Sequence, residues 1–111
     1  MRIDEEVRGG VLILRPAGRI GSENARAFET RLIDAVDPGP AKLVIDLSEV
    51  TLLTSAALRS LLKAAKRAKP AGSRIVLAAM PAAVRDVFDA SGFSSLFESH
   101  GSADAAVAAL R

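Results

Sequence analysis

Apolar and polar positions along the chain alternate between short continuous runs and stripes at helical spacing. Arg2 to Val7 is short with Ile3 and Val7 apolar, Gly9-Gly10 offers a turn that tolerates positive φ, and Val11-Leu12-Ile13-Leu14 follows as a strand closed by Pro16, so the chain opens on a predicted hairpin. Beyond Gly18 and Gly21, Ser22 is placed to cap a helix whose Ala25, Phe28, Leu32 and Val36 recur at steps of three and four residues, and Pro38-Gly39-Pro40 stops it. Leu43-Val44-Ile45 is an unbroken apolar run, the pattern of a strand buried on both faces of a parallel sheet. Ser48 to Ser55 reads as a loop feeding a second helix, with Leu58, Leu61, Leu62 and Ala65 on its apolar face and Pro70 and Gly72 at its end. Arg74 to Ala79 repeats the buried-strand pattern. Pro81 suits a first helical turn ahead of Val84, Val87 and Phe88, and Gly92 suits a left-handed cap. Phe93 to His100 holds a last short strand, and Ser102 caps a closing helix with Ala103, Ala106, Val107 and Leu110 turned inward. Strands alternating with helices in this way predict an α/β sheet with helical cover.

Length and composition narrow the picture. The 111 residues suit one domain, 1–111, without an internal repeat or a low-complexity linker. The absence of cysteine excludes disulfides, thiolate metal sites and cysteine nucleophiles. Fifteen basic and thirteen acidic residues leave a net charge of +2, too even a balance for a nucleic-acid-binding arm, and with no Trp or Tyr the chain lacks base-stacking platforms. The apolar runs fall far short of the ~18 residues a membrane span requires. Asp4, Glu5 and Glu6 stand where a secretory leader would carry positive charge. The expectation is a soluble cytoplasmic protein with no membrane insertion.

Candidate chemistry is sparse. In open α/β sheets the working surface lies beyond the carboxyl ends of the parallel strands, which directs attention to the segment after Ile45. Asp46 there raises the idea of a degenerate phospho-accepting receiver. That chemistry needs an acidic pair at the end of the first parallel strand to hold magnesium, and Arg15-Pro16 occupies that place, so a capping role for Asp46 fits better. His100, the only histidine, lies near Ser99 and Ser102 without any nucleophile-elbow motif. Gly18-Arg19-Ile20-Gly21 lacks the third glycine of a dinucleotide fingerprint. The reading is a non-enzyme with no cofactor and no metal. Arg59, Lys63, Lys66, Arg67 and Lys69 line the polar face of the second helix. Thr54 and Ser55 bring hydroxyls to its N-terminus, where they can cap free N–H groups and where the dipole would welcome an added phosphate.

Leu43-Val44-Ile45-Asp46-Leu47-Ser48-Glu49-Val50 followed by Leu52-Leu53-Thr54-Ser55-Ala56-Ala57-Leu58 resembles the central segment of STAS domains, particularly bacterial anti-sigma-factor antagonists. The similarity continues in Gly18-Arg19-Ile20, the Ser73-Arg74-Ile75-Val76-Leu77 strand, Val84 to Gly92 and the Ala-rich terminal helix. The resemblance implies a mixed, mostly parallel sheet of about four or five strands with about four helices packed on it. It implies a protein that works by binding an anti-sigma factor of the serine-kinase type, freeing a sigma factor for transcription. Phosphorylation at the start of the second helix would end that association and a phosphatase would restore it. By the same resemblance, the contact surface is Thr54, Ser55, Ala56, Ala57, Arg59 and Lys63.

This sequence departs from the family pattern at the switch itself. Antagonists commonly read Asp-Ser-Ser/Thr-Gly-Leu, with the second hydroxyl residue as phosphoacceptor; Thr54, Ser55, Ala56, Ala57 and Leu58 fill those positions here. Alanine cannot be phosphorylated, which leaves Ser55 or Thr54 as substitutes and a constitutively binding-competent state as the alternative. Small STAS proteins also bind the ATPase of lipid-transport ABC systems, and some of those carry a hydroxyl followed by alanine, as Ser55-Ala56 does. The antagonist-like terminal helix from Ser102 favours the first assignment.

Overall fold

The computed structural model describes all 111 residues. In chain order the first half comprises β1 (Ile3–Arg8), β2 (Val11–Pro16), β3 (Gly18–Ile20), α1 (Ala25–Val36), β4 (Lys42–Asp46) and β5 (Val50–Leu53). The second half comprises α2 (Ser55–Ala71), β6 (Arg74–Ala78), α3 (Ala82–Ala90), a 3-10 turn (Phe93–Leu96), β7 (Glu98–His100) and α4 (Ala103–Leu110). β1 and β2 form the expected antiparallel hairpin, with Arg8 opposite Val11 across Gly9-Gly10. β2, β4, β6 and β7 run parallel, giving one mixed sheet in the order β1-β2-β4-β6-β7. This is the α/β architecture that the alternating pattern implies.

Strand side chains alternate between two cores. Leu14, Leu43, Ile45 and Leu77 join Phe28, Leu32, Leu61 and Phe88 in the larger cluster, which α1, α2 and α3 cover. Val11, Ile13, Val44 and Val76 point the other way, onto Ala106, Val107 and Leu110 of α4 alone. The unbroken apolar runs of β4 and β6 are therefore central strands with helices on both faces. α1 and α2 lie side by side, and their ends meet tightly. A Cβ on Gly39 would sit 2.1 Å from the Ala71 carbonyl oxygen, so glycine is required there. Gly72, at φ 72°, closes α2 as a left-handed cap.

Several elements differ from the pattern reading. The stretch before α2 is not all loop: β3 and β5 pair in parallel as a separate two-stranded sheet, burying Ile20, Val50 and Leu53 against the larger core. Ser22 does not cap α1. Asn24 stands in that place, its side chain accepting the Gly21 N–H at 2.9 Å and donating to the Arg19 carbonyl at 2.9 Å. Pro81 precedes α3 rather than opening it, and Pro70 lies inside α2. Phe93 to Leu96 is a 3-10 turn, leaving only Glu98–His100 as strand. Ser102 caps α4 as expected, its hydroxyl oxygen accepting the Ala105 N–H at 3.1 Å.

Candidate functional site

The segment that carries β5 into α2 is fixed from below by apolar side chains and from the side by one hydroxyl. Leu53, Ala57, Leu58 and Leu61 sink into the larger core. Thr54, in extended backbone just before the helix, makes no cap; its N–H and hydroxyl both donate to the Ile20 carbonyl, at 3.2 and 2.9 Å, tying α2 to β3. The expected capping pair is thus replaced by a tether. Ser55 is exposed, and its hydroxyl bonds to no other residue. Ala56 is half-buried, while Ala57 is fully buried and offers no surface, so its assignment to the contact face is corrected to a supporting position beneath it.

Past this start the helix is strongly positive. The seventeen residues of α2 carry Arg59, Lys63, Lys66, Arg67 and Lys69 and no carboxylate. Lys63 reaches Glu29 on α1 at 3.6 Å and Arg67 pairs with Asp37, whereas Arg59, Lys66 and Lys69 have no acidic partner. Beside the start of α2, a shallow groove of about 330 Å³ lies between the two helices, bordered by Ser22, Arg26, Glu29, Ala56, Arg59 and Lys63. Arg26 likewise pairs with no carboxylate, so three cations face one acid there. At the groove's floor Ser60 is buried, its hydroxyl within reach of the Ala25 and Ala56 carbonyls at 3.1 and 3.2 Å. This surface suits an acidic partner better than a neutral one. Arg26 escaped the sequence reading because only the packing of α1 on α2 brings it to Arg59. Leu52 also escaped: it is 40% exposed on β5, just before the helix.

The other candidates sit apart from this surface. Asp46, at the end of β4, has a side chain only 6% exposed. One of its oxygens accepts from Arg15 Nε at 2.9 Å and the other from the Ser48 N–H at 2.9 Å. Burial opposes its ionisation, but the Ser48 hydrogen bonds and the Arg15 guanidinium outweigh that and hold its carboxyl below the ordinary range. The carboxylate is fully engaged in local structure, as the capping role anticipates. Arg15 is the partner that the sequence placed nearby without revealing the pairing. His100 Nε2 lies 2.7 Å from Glu98, which Arg74 also contacts at 2.7 Å. The neighbouring Ser102 hydroxyl is committed to capping α4 rather than to His100. No group of three or more His, Asp or Glu side chains gathers to hold a metal, and no helix is long and apolar enough to cross a membrane.

Comparison with known proteins places this geometry. The profile of the STAS domain matches residues 2–106. Over 111 residues, all of this chain and 96% of the relative, the sequence is 35% identical to a Bordetella bronchiseptica protein named as a candidate anti-sigma factor antagonist, BtrV. The crystal structure of an anti-sigma factor antagonist from Mycobacterium paratuberculosis superposes with a TM-score of 0.83 at 30% identity, covering 99% of this chain and 93% of that one. The fold is also that of a Thermotoga maritima structure, with a TM-score of 0.90 at 21% identity over 98% of this chain and 94% of the other. With the profile spanning nearly every residue and the strand order and helix cover in agreement, the chain belongs to the STAS domain family.

Proposed function

We propose that the protein is an anti-sigma-factor antagonist: it docks an anti-sigma factor of the serine-kinase type on the start of α2 and thereby releases a sigma factor for transcription. The observation that carries this reading is the state of that surface. Ser55 is exposed and unbonded, Ala56 and Arg59 flank it, and the cations of α2 exceed the carboxylates that reach them. The full-length similarity to proteins described as anti-sigma factor antagonists supplies the class of partner. Thr54, Ser55, Ala56, Arg59 and Lys63 form the contact face, and Ala57 supports it from the core.

Ala56 occupies the position of the usual phosphoacceptor, so the ordinary switch is absent and the protein remains competent to bind. Of the two substitutes, Ser55 is the accessible one, because the Thr54 hydroxyl is held by Ile20. A phosphatase has a role only if Ser55 accepts a phosphoryl group. The test is a pulldown with the anti-sigma factor encoded near this protein, combined with incubation of the two proteins and ATP. Recovery of the kinase-type partner, and of sigma-dependent transcription that falls when this protein is deleted, is expected. Recovery of a transporter ATPase instead, with transcription indifferent to the deletion, overturns the reading.

A further inference from the structure

The opposite flank of α2 carries a second surface, separate from the start of the helix and independent of the reading above. The apolar stripe of α2 is wider than the core that receives it: Leu58 and Leu61 are buried, whereas Leu62 and Ala65 are only partly buried. Across from them, Leu96 ends the 3-10 turn with 58% of its surface exposed. The turn itself is anchored. Phe97 follows it into the core against Phe88, with ring centroids 5.9 Å apart, and Phe93 packs against the same cluster. Leu96 is therefore held outward by its neighbours. Leu62, Ala65 and Leu96 line a shallow slot of about 230 Å³, and Lys66 and Lys69 form its rim.

Neither lysine has an acidic partner, although Lys63 and Arg67 on the same helix both do. Residues three apart lie on one face, one turn from each other. We infer that this slot docks an acidic amphipathic helix of a partner protein, which inserts one apolar side chain between Leu62, Ala65 and Leu96 and sets carboxylates one turn apart against Lys66 and Lys69. Charge complementarity selects the occupant, since a cationic or neutral helix would bury the apolar contact while leaving both ammonium groups unanswered. A single-side-chain slot rimmed by two cations is also poorly shaped for a lipid surface, which rewards broad basic patches.

The test uses the intact protein and a synthetic helical peptide bearing leucine on one face flanked by glutamates one turn apart, with a lysine-for-glutamate peptide as control. Titration followed by amide shifts is expected to perturb Leu62, Lys66, Lys69 and Leu96. The double variant K66E/K69E is expected to weaken binding about tenfold or more, and added salt to weaken binding by the unmodified protein. Leu96→Ser should abolish the shifts without lowering the melting temperature, because the side chain is exposed. Ser55→Asp should leave this binding unchanged, which separates it from docking at the α2 start. Equal binding of the lysine peptide, shifts elsewhere, indifference to K66E/K69E, or a response to phosphatidylglycerol vesicles but not to the peptide would overturn the inference, as would self-association through the same residues.

Discussion

Two residues show how chemistry at one atom decides behaviour. The Asp46 carboxyl is buried, yet hydrogen bonds from Ser48 and the Arg15 guanidinium keep it ionised below its ordinary range. The folded protein therefore holds the carboxylate at acidities where the unfolded chain has already bound a proton. The unfolded state binds more protons in that window, so stability rises with pH there and is lost as pH falls below about 4. Asp46→Asn should remove this acid sensitivity and cost about 1.5–3 kcal/mol at neutral pH, because Arg15 loses a charged hydrogen-bond partner. Thermal melts of both proteins across that pH range check the sign: an unchanged acid slope in the variant would assign the effect to another carboxylate. At Ser55 the argument is steric and electrostatic. Ser55→Asp places a carboxylate inside the proposed contact, and it should weaken capture of the anti-sigma factor by calorimetry while leaving the fold intact, since nothing in the protein bonds to the serine hydroxyl. Unchanged affinity would move the interface away from Ser55. The sequence places Asp46 at the end of its strand and Ser55 at the start of a helix, but the Arg15 pairing and the Ile20 tether of Thr54 join positions 31 and 34 residues apart, which local patterning does not encode.

At the scale of the element, periodicity finds helices more reliably than it fixes which side of them is covered. Leu58, Leu61, Leu62 and Ala65 make one stripe in the sequence, but the core takes Leu58 and Leu61 together with Ala57, Ala64 and Ala68, and leaves the other two at the flank. The centre of burial is rotated toward the small residues Ala57, Ser60, Ala64 and Ala68 of α2, beside which α1 lies. Leu61→Ala should cost about 2–5 kcal/mol by transfer and cavity formation, and Leu62→Ala less, since part of its surface already meets water. Chemical denaturation of the pair measures the difference; equal costs would mean that Leu62 is as enclosed as Leu61. The β3–β5 sheet is not legible in the sequence for a related reason. Three residues beginning with Gly18 and Arg19, and four with Thr51 and Leu52 exposed, are too short and too weakly alternating to register as strands. They are recognised only when they meet, and the Thr54 hydrogen bonds to the Ile20 carbonyl then tie the α2 start to β3.

Across the whole molecule, one sheet separates two unequal cores, and the same strands serve both. Val44 faces α4 while its neighbours Leu43 and Ile45 face α1 and α2, so β4 cannot leave one core and keep the other. The sequence announces this arrangement through the unbroken apolar runs of β4 and β6, which need cover on both faces. It does not announce that a single helix covers one face, because the stripe of α4 looks like that of any other helix. The consequence is cooperative unfolding. Leu110→Ala, remote from the α2 surface, should cost about 2–5 kcal/mol, comparable with Leu61→Ala in the larger core. Both should lower the midpoint of one shared transition rather than create a second. Circular dichroism and amide exchange of strand residues, followed together, should report the same midpoint in each variant. If α4 melted first while β4 and β6 amides stayed protected, the smaller core would be an appendage, and the rigidity that presents the α2 surface would have to come from the three-helix side alone.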